Sequence, residues 1–291
     1  MKTNQEQFLL AIARIEKFSP APMILAKAIK LLRDPLADIS SVSALVSNDP
    51  ALAADILRCA NSAFYNTGDP AQTIDQAVQR IGFRETFNLL NVAVSRVTSE
   101  RDLSSYSISA DDFWAESLFN GLFLRNLAKQ TGKVDADEAY TVGLLRFIGR
   151  LAIDQVIQER GGGLFWLGAE TVAKWENDSV GFVQAQAGAI LLAKWHFPEE
   201  MVQAIAGQDA PAQLTKPNWM AEALEFASLL LPQGIGVPLH IALGEFIPTV
   251  SRIREFMAHS ALSPEQAEAV LASTRCDCDL IRRNFGRNLK E

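Results

Sequence analysis

The chain has 291 residues, of which 48% are hydrophobic and 21% charged, so it can bury a sizeable core and is too weakly charged for wholesale disorder. A net charge of −7 argues against nucleic acid as the main partner, because phosphate contacts need clustered Lys and Arg. Three cysteines, Cys59, Cys276 and Cys278, are too few for a disulfide framework and point to a reducing, cytoplasmic setting.

Taken in chain order, apolar residues recur at three- and four-residue spacing almost throughout, and alternating strand-like segments are scarce. Residues 1–17 predict an amphipathic helix, interrupted by Arg14 and Glu16 and unlike a signal peptide. Helices follow at 21–32, 40–47 and 50–61, the last started by Asp49-Pro50, where proline at the first helical position loses nothing. Thr73 to Gln76 has capping-box spacing for a helix at 74–81, and Gly82 suits a left-handed cap before 84–97.

The polar stretch 99–108 separates two helical blocks. Ser109, with Asp111 and Asp112 behind it, starts a helix at 110–130. Further helices are predicted at 136–158, 164–175, 180–194, 198–206 and 218–231. Two more, at 263–273 and 276–286, follow the capping-box spacing of Ser263 and Gln266. The run 229–250 holds three prolines and Glu245 and is too broken to span a bilayer, so no membrane segment is expected.

Few familiar chemistries find their residues here. There is no nucleophile elbow and no Walker A loop, and Gly161-Gly162-Gly163 lacks a following Lys-Ser/Thr and reads as a turn. Cys276 and Cys278 alone cannot complete a four-ligand zinc site. His196, His240 and His259 have no metal-ligand spacing and read as surface or helix-end residues. The pair 74–81 and 84–97 has helix-turn-helix spacing, but Asp75 and Glu85 offset its few arginines, so packing explains it better.

The order of features in 34–92 is more specific. Asp34-Pro35 and Asp49-Pro50-Ala51-Leu52 precede Arg58-Cys59-Ala60-Asn61-Ser62-Ala63-Phe64-Tyr65, and then come Ala77-Val78 and Ile81-Gly82. This order resembles the N-terminal half of the HDOD family. Read from the residues alone, these positions are scaffolding: Asn61 and Ser62 can bond orphan backbone groups at a helix end, and Phe64 and Tyr65 plug a turn.

The second half resembles the core of the HD-type metal phosphohydrolases, of which HDOD is a degenerate relative. Phe113-Trp114-Ala115-Glu116-Ser117 stands where that pattern reads F-W-x-H-S, and Gly143-Leu144-Leu145-Arg146-Phe147-Ile148-Gly149 where it reads G-L-L-H-D-I-G. Gln184 to Gly188 leads to Trp195-His196-Phe197-Pro198-Glu199; Gly207 and Gln208 stand for two histidines and Ser228 for the last aspartate.

The resemblance covers roughly 18–230. It implies an all-α fold with two helical subdomains, 18–100 and 109–230, the second an HD-phosphohydrolase-like helical bundle, followed by a helical extension at 231–291. A metal that activates water needs neutral imidazoles and ionised carboxylates. At those positions only Glu116 could serve; Arg146 repels a cation and Phe147 cannot coordinate one. Neither a metal nor another cofactor, and no catalytic residue, is therefore expected.

Two functions remain in view. One is a non-catalytic signal-transduction domain acting through protein partners. The other is a sensor that binds a small, nucleotide-like anion around Arg146, Glu116, Gln184 and Arg150, unless Arg146 simply pairs with Glu116. A divergent metal-dependent phosphohydrolase would need a ligand cluster the sequence does not show.

Overall fold

Apolar stripes at helical spacing need neighbouring helices to cover them, and that pairing organises the protein. The computed structural model describes residues 21–47, 50–62, 65, 68–98, 101–168, 170–230 and 247–285. Among them there is no β-strand, only an isolated antiparallel bridge between Leu103 and Ile108. The all-α expectation is met, with two compact units, one within 16–100 and one within 101–291. The predicted helix at 1–17, Asp49, Phe64, His240 and residues 231–246 lie outside the described residues.

The first unit holds α1 (Ala21–Arg33), α2 (Ile39–Ser47), α3 (Pro50–Ala60), α4 (Ile74–Ile81) and α5 (Phe83–Thr98). Its core is built from Leu25, Ile29, Val46, Ile56, Val78, Phe87 and Leu90, all nearly fully buried. Thr73 and Gln76 close the expected capping box at α4. Gly82 departs from the left-handed cap, with φ 87° and ψ 154°. That region is open essentially to glycine alone.

Asn61 brackets a distant backbone segment instead of capping its own helix. Its Nδ2 donates to the Ala71 carbonyl at 3.0 Å and its Oδ1 accepts from the Ala71 N–H at 2.7 Å. Arg80 adds a bond to the same Oδ1 at 3.2 Å. One amide side chain thus closes the loop between α3 and α4. Asn61→Ala is expected to cost about 2 kcal/mol by leaving both Ala71 groups unmatched. Urea denaturation checks this, and a loss under about 0.5 kcal/mol would contradict it.

The second unit is arranged around α6 (Ala110–Thr131), which buries Leu118, Leu122, Phe123, Leu124 and Leu127. Around it lie α7 (Ala136–Leu144), α8 (Ile148–Glu159), α9 (Val172–Val180), α10 (Gln184–Lys194), α11 (Glu199–Ala206) and α12 (Trp219–Leu230). The C-terminal helices α13 (Ile247–His259) and α14 (Pro264–Phe285) pack onto α12 and α6. A line of stacked rings ties them in: Phe119 to Phe123 at 6.3 Å, Phe123 to Phe226 at 6.2 Å and Phe226 to Phe256 at 4.4 Å. No helix among the described residues is long and apolar enough to cross a membrane.

Three predicted boundaries differ, each for a local reason. The helix expected over 136–158 is broken by a turn at 145–147, where the Ile148 N–H bonds the Leu145 carbonyl. The helix expected at 164–175 starts only at Val172, capped by Thr171. Gly161, Gly162, Gly163 and Gly168 all take positive φ before it. The two helices expected over 263–286 are one, because Thr274 bonds back to the Val270 carbonyl at 2.7 Å instead of capping a new start.

Candidate functional site

Close helix crossings set the site. An ideal Cβ on Gly149 would sit 2.0 Å from the Gln184 carbonyl oxygen, so only glycine lets α8 and α10 approach this closely. One on Gly143 would sit 2.4 Å from the Asn120 carbonyl, which ties α7 equally closely to α6. Between these contacts the 145–147 turn holds Arg146 in place.

The result is a cavity of about 730 Å³ in the second unit. Glu116 and Asn120 reach it from one face of α6, one turn apart, and Arg146, Phe147 and Arg150 from the turn and the start of α8. Glu176, Gln184, Asp209 and Ser228 line it from α9, α10, the segment after α11, and α12. The four residues singled out from the sequence, Arg146, Glu116, Gln184 and Arg150, therefore surround one cavity.

The expected Arg146–Glu116 pair does not form. Glu116 pairs instead with Arg150, at 3.4 Å. Arg146, only 5% exposed, donates to Asn120 Oδ1 at 2.6 Å and to Ser228 Oγ. Both acceptors are neutral, and among the described residues no carboxylate lies within ion-pair distance of it. Both guanidiniums lie over the Phe147 ring, at 4.7 Å for Arg146 and 3.9 Å for Arg150. Gln208 donates to the Arg146 carbonyl at 3.2 Å.

Burial pushes the Arg146 guanidinium down to about 10, against the opposing pull of Asp209, so it stays charged at neutral pH. Burial likewise raises Asp209, which faces Arg146 and Arg150, and it raises Glu176. Glu176 accepts from the Gln184 N–H at 2.8 Å and from the Tyr106 hydroxyl at 2.9 Å, which fixes the start of α10. Arg146 Nε, Arg150 Nε and Gln184 Oε1 are buried without a hydrogen-bond partner.

Residues of the HD metal kind do not fit here. No group of three or more His, Cys, Asp or Glu among the described residues could hold a metal ion. A buried cation stands where the pattern puts a ligand, and an aromatic ring stands beside it. Of the histidines, exposed His196 lies just past the C-cap of α10 and His259 Nδ1 lies 3.0 Å from Glu222.

Several lining residues were not singled out from the sequence: Asn120, Glu176, Asp209, Arg275 and Asp279. Asn120 was within reach, one turn after Glu116 on the same face. Asp209 directly follows Gly207-Gln208, two positions that the resemblance compares with histidines. Nothing local marks Arg275 or Asp279, which packing of α14 alone brings to the cavity.

The all-helical fold defines a class, and comparison with known proteins agrees. The HDOD domain model matches residues 19–211. The chain belongs to the HDOD domain family. An uncharacterized protein of Treponema pallidum (strain Nichols) is 29% identical over 213 residues, 70% of this chain but only 40% of that relative.

Among solved structures, an HDOD domain protein of unknown function from Geobacter sulfurreducens has a TM-score of 0.66 at 20% identity, covering 98% of this chain and 99% of its own. A protein of Marinobacter aquaeolei VT8, provisionally named a signal transduction protein, has a TM-score of 0.70 at 21% identity, covering 97% and 65%. A provisionally named phosphohydrolase of Shewanella amazonensis SB2B has a TM-score of 0.61 at 22% identity, covering 94% and 95%. These likenesses bear on the fold.

Proposed function

We propose that this chain is a non-catalytic signal-transduction domain that acts through protein partners in the cytoplasm. In this reading the HDOD domain spans 18–230, with subdomains 18–100 and 109–230, and carries 231–291 as an extension. One observation carries the proposal: the Arg146 guanidinium, at a position the HD resemblance gives to a metal ligand, is buried and bonded to Asn120 and Ser228. A fixed cation there repels a divalent ion and leaves no open coordination position for water. The name of the Marinobacter relative is in line with a signalling role.

The test is turnover of bis-p-nitrophenyl phosphate in Mn²⁺, Fe²⁺ or Mg²⁺. No metal-dependent hydrolysis is expected. Turnover that disappears in Glu116→Gln would overturn the reading.

A second reading has its own support. Arg146 is buried with no carboxylate within ion-pair distance among the described residues, Asp209 acting on it only from farther off, and its Nε has no hydrogen-bond partner. A buried charge is costly unless paired, so a small anion is the natural complement in a cavity of this size. On this reading the domain senses a small anionic ligand. Thermal shifts with a nucleotide panel, absent in Arg146→Ala, are its signature.

A further inference from the structure

We infer that α14 is a ligand-contacting wall of this cavity, and that Arg275 is its second anion-binding group, so that a phosphate-bearing small molecule is held jointly by the HDOD domain and the C-terminal helix. The inference rests on the second reading above, in which the cavity takes an anion.

Three residues of α14, Arg275, Cys278 and Asp279, line the same cavity as Arg146. They lie within about one turn and therefore on one face of the helix. The wall is anchored beside the site. Asn126 of α6 donates to Asp277 Oδ2 at 3.0 Å and to Thr274 Oγ1 at 3.3 Å, and Thr274 is fully buried. The helix that presents Glu116 and Asn120 thus also holds the turn that presents Arg275.

Arg275 differs from the other two cavity arginines. Arg150 is partly neutralised by Glu116, and Arg146 is tied to Asn120 and Ser228. Arg275 is exposed to the cavity and makes no hydrogen bond or ion pair with another described residue; Asp279, one turn on, is not paired with it either. Its guanidinium is therefore free to meet a ligand bidentately, as guanidiniums meet phosphates.

The lining as a whole is not cationic: Arg146, Arg150 and Arg275 stand among Asp112, Glu116, Glu176, Asp209 and Asp279, so the case for an anion is local and rests on Arg146 and Arg275, neither of which has an ion-pair partner among the described residues. A space of about 730 Å³ also far exceeds what one phosphate fills, and matches a metabolite that reaches from Arg146 to α14.

Calorimetric titration of the full chain with inorganic pyrophosphate and with ADP tests the inference, the tighter probe serving as reporter. Arg275→Ala is expected to weaken that probe roughly tenfold and Arg275→Glu further, while Arg254→Ala, on α13 and away from the cavity, leaves it unchanged. Arg275 is exposed, so these variants should fold as wild type does by circular dichroism. Binding that is lost in Arg146→Met but intact in Arg275→Ala overturns the role of α14 and leaves the anion site standing. Equal losses in Arg254→Ala and Arg275→Ala also overturn it. No binding of either probe to wild type overturns both the anion reading and the role of α14.

Discussion

Gly149→Ala is expected to lower the unfolding free energy by about 3 kcal/mol or more. The added methyl would lie 2.0 Å from the Gln184 carbonyl oxygen and 2.8 Å from both its carbon and the Gly188 nitrogen. All three are backbone atoms in the first turns of α10, so no side-chain rotation relieves the contact and the two helices must separate. The better helix propensity of alanine, at most about 1 kcal/mol, does not offset this.

Gly188→Ala is the matched control. Its methyl would meet side-chain carbons, Ile205 Cγ2 at 3.0 Å and Ile148 Cγ2 at 3.3 Å. Those can yield, and a cost near 1 kcal/mol is expected. Chemical denaturation of both variants decides the matter, and a Gly149→Ala cost no larger than that of Gly188→Ala would contradict the close crossing.

Arg146→Met is expected to leave stability unchanged or raise it by about 1 kcal/mol, while weakening phosphate-bearing probes at least about 100-fold. Arg146 is buried with no carboxylate within ion-pair distance among the described residues, and burial, outweighing the more distant Asp209, already pulls its ionisation down to about 10. Methionine removes that desolvation cost and keeps most of the packing over Phe147.

The hydrogen bonds lost go to groups that retain other contacts. Ser228 still donates to the Leu224 carbonyl at 3.2 Å, and Asn120 to the Glu116 carbonyl at 2.8 Å. Both line the cavity and can be hydrated. If the substitution proves neutral or stabilising, a charge kept in the lining of a cavity against stability marks a functional group. If Arg146→Met instead cost more than about 2 kcal/mol, Arg146 would be a structural pin and the anion reading would lose its main support.

Much of this was legible in the sequence because local chemistry decides it. The caps at Thr73, Ser109 and Ser263 act within one helical turn, and the structure has all three. That Glu116, Arg146 and Gln184 would share one site could be read from residue order alone, and the cavity has all three in its lining. Pairing inside the cavity could not. Arg146 and Arg150 are one turn apart, and which of them meets Glu116 depends on the 145–147 turn, hidden within one continuous apolar pattern. The contribution of α14 was out of reach for a different reason. Arg275 reaches the cavity through long-range packing, the bonds of Asn126 to Thr274 and Asp277 and the stacking of Phe256 on Phe226.

Metal stoichiometry tests the central claim most directly. Purified chain is incubated with Mn²⁺, Fe²⁺ or Zn²⁺, dialysed, and assayed by inductively coupled plasma mass spectrometry. The arrangement around Arg146 predicts retention far below about one ion per chain for every metal, since neither donors nor charge suit a cation there. About one or two ions per chain, retained by wild type and lost in Glu116→Gln, would contradict it.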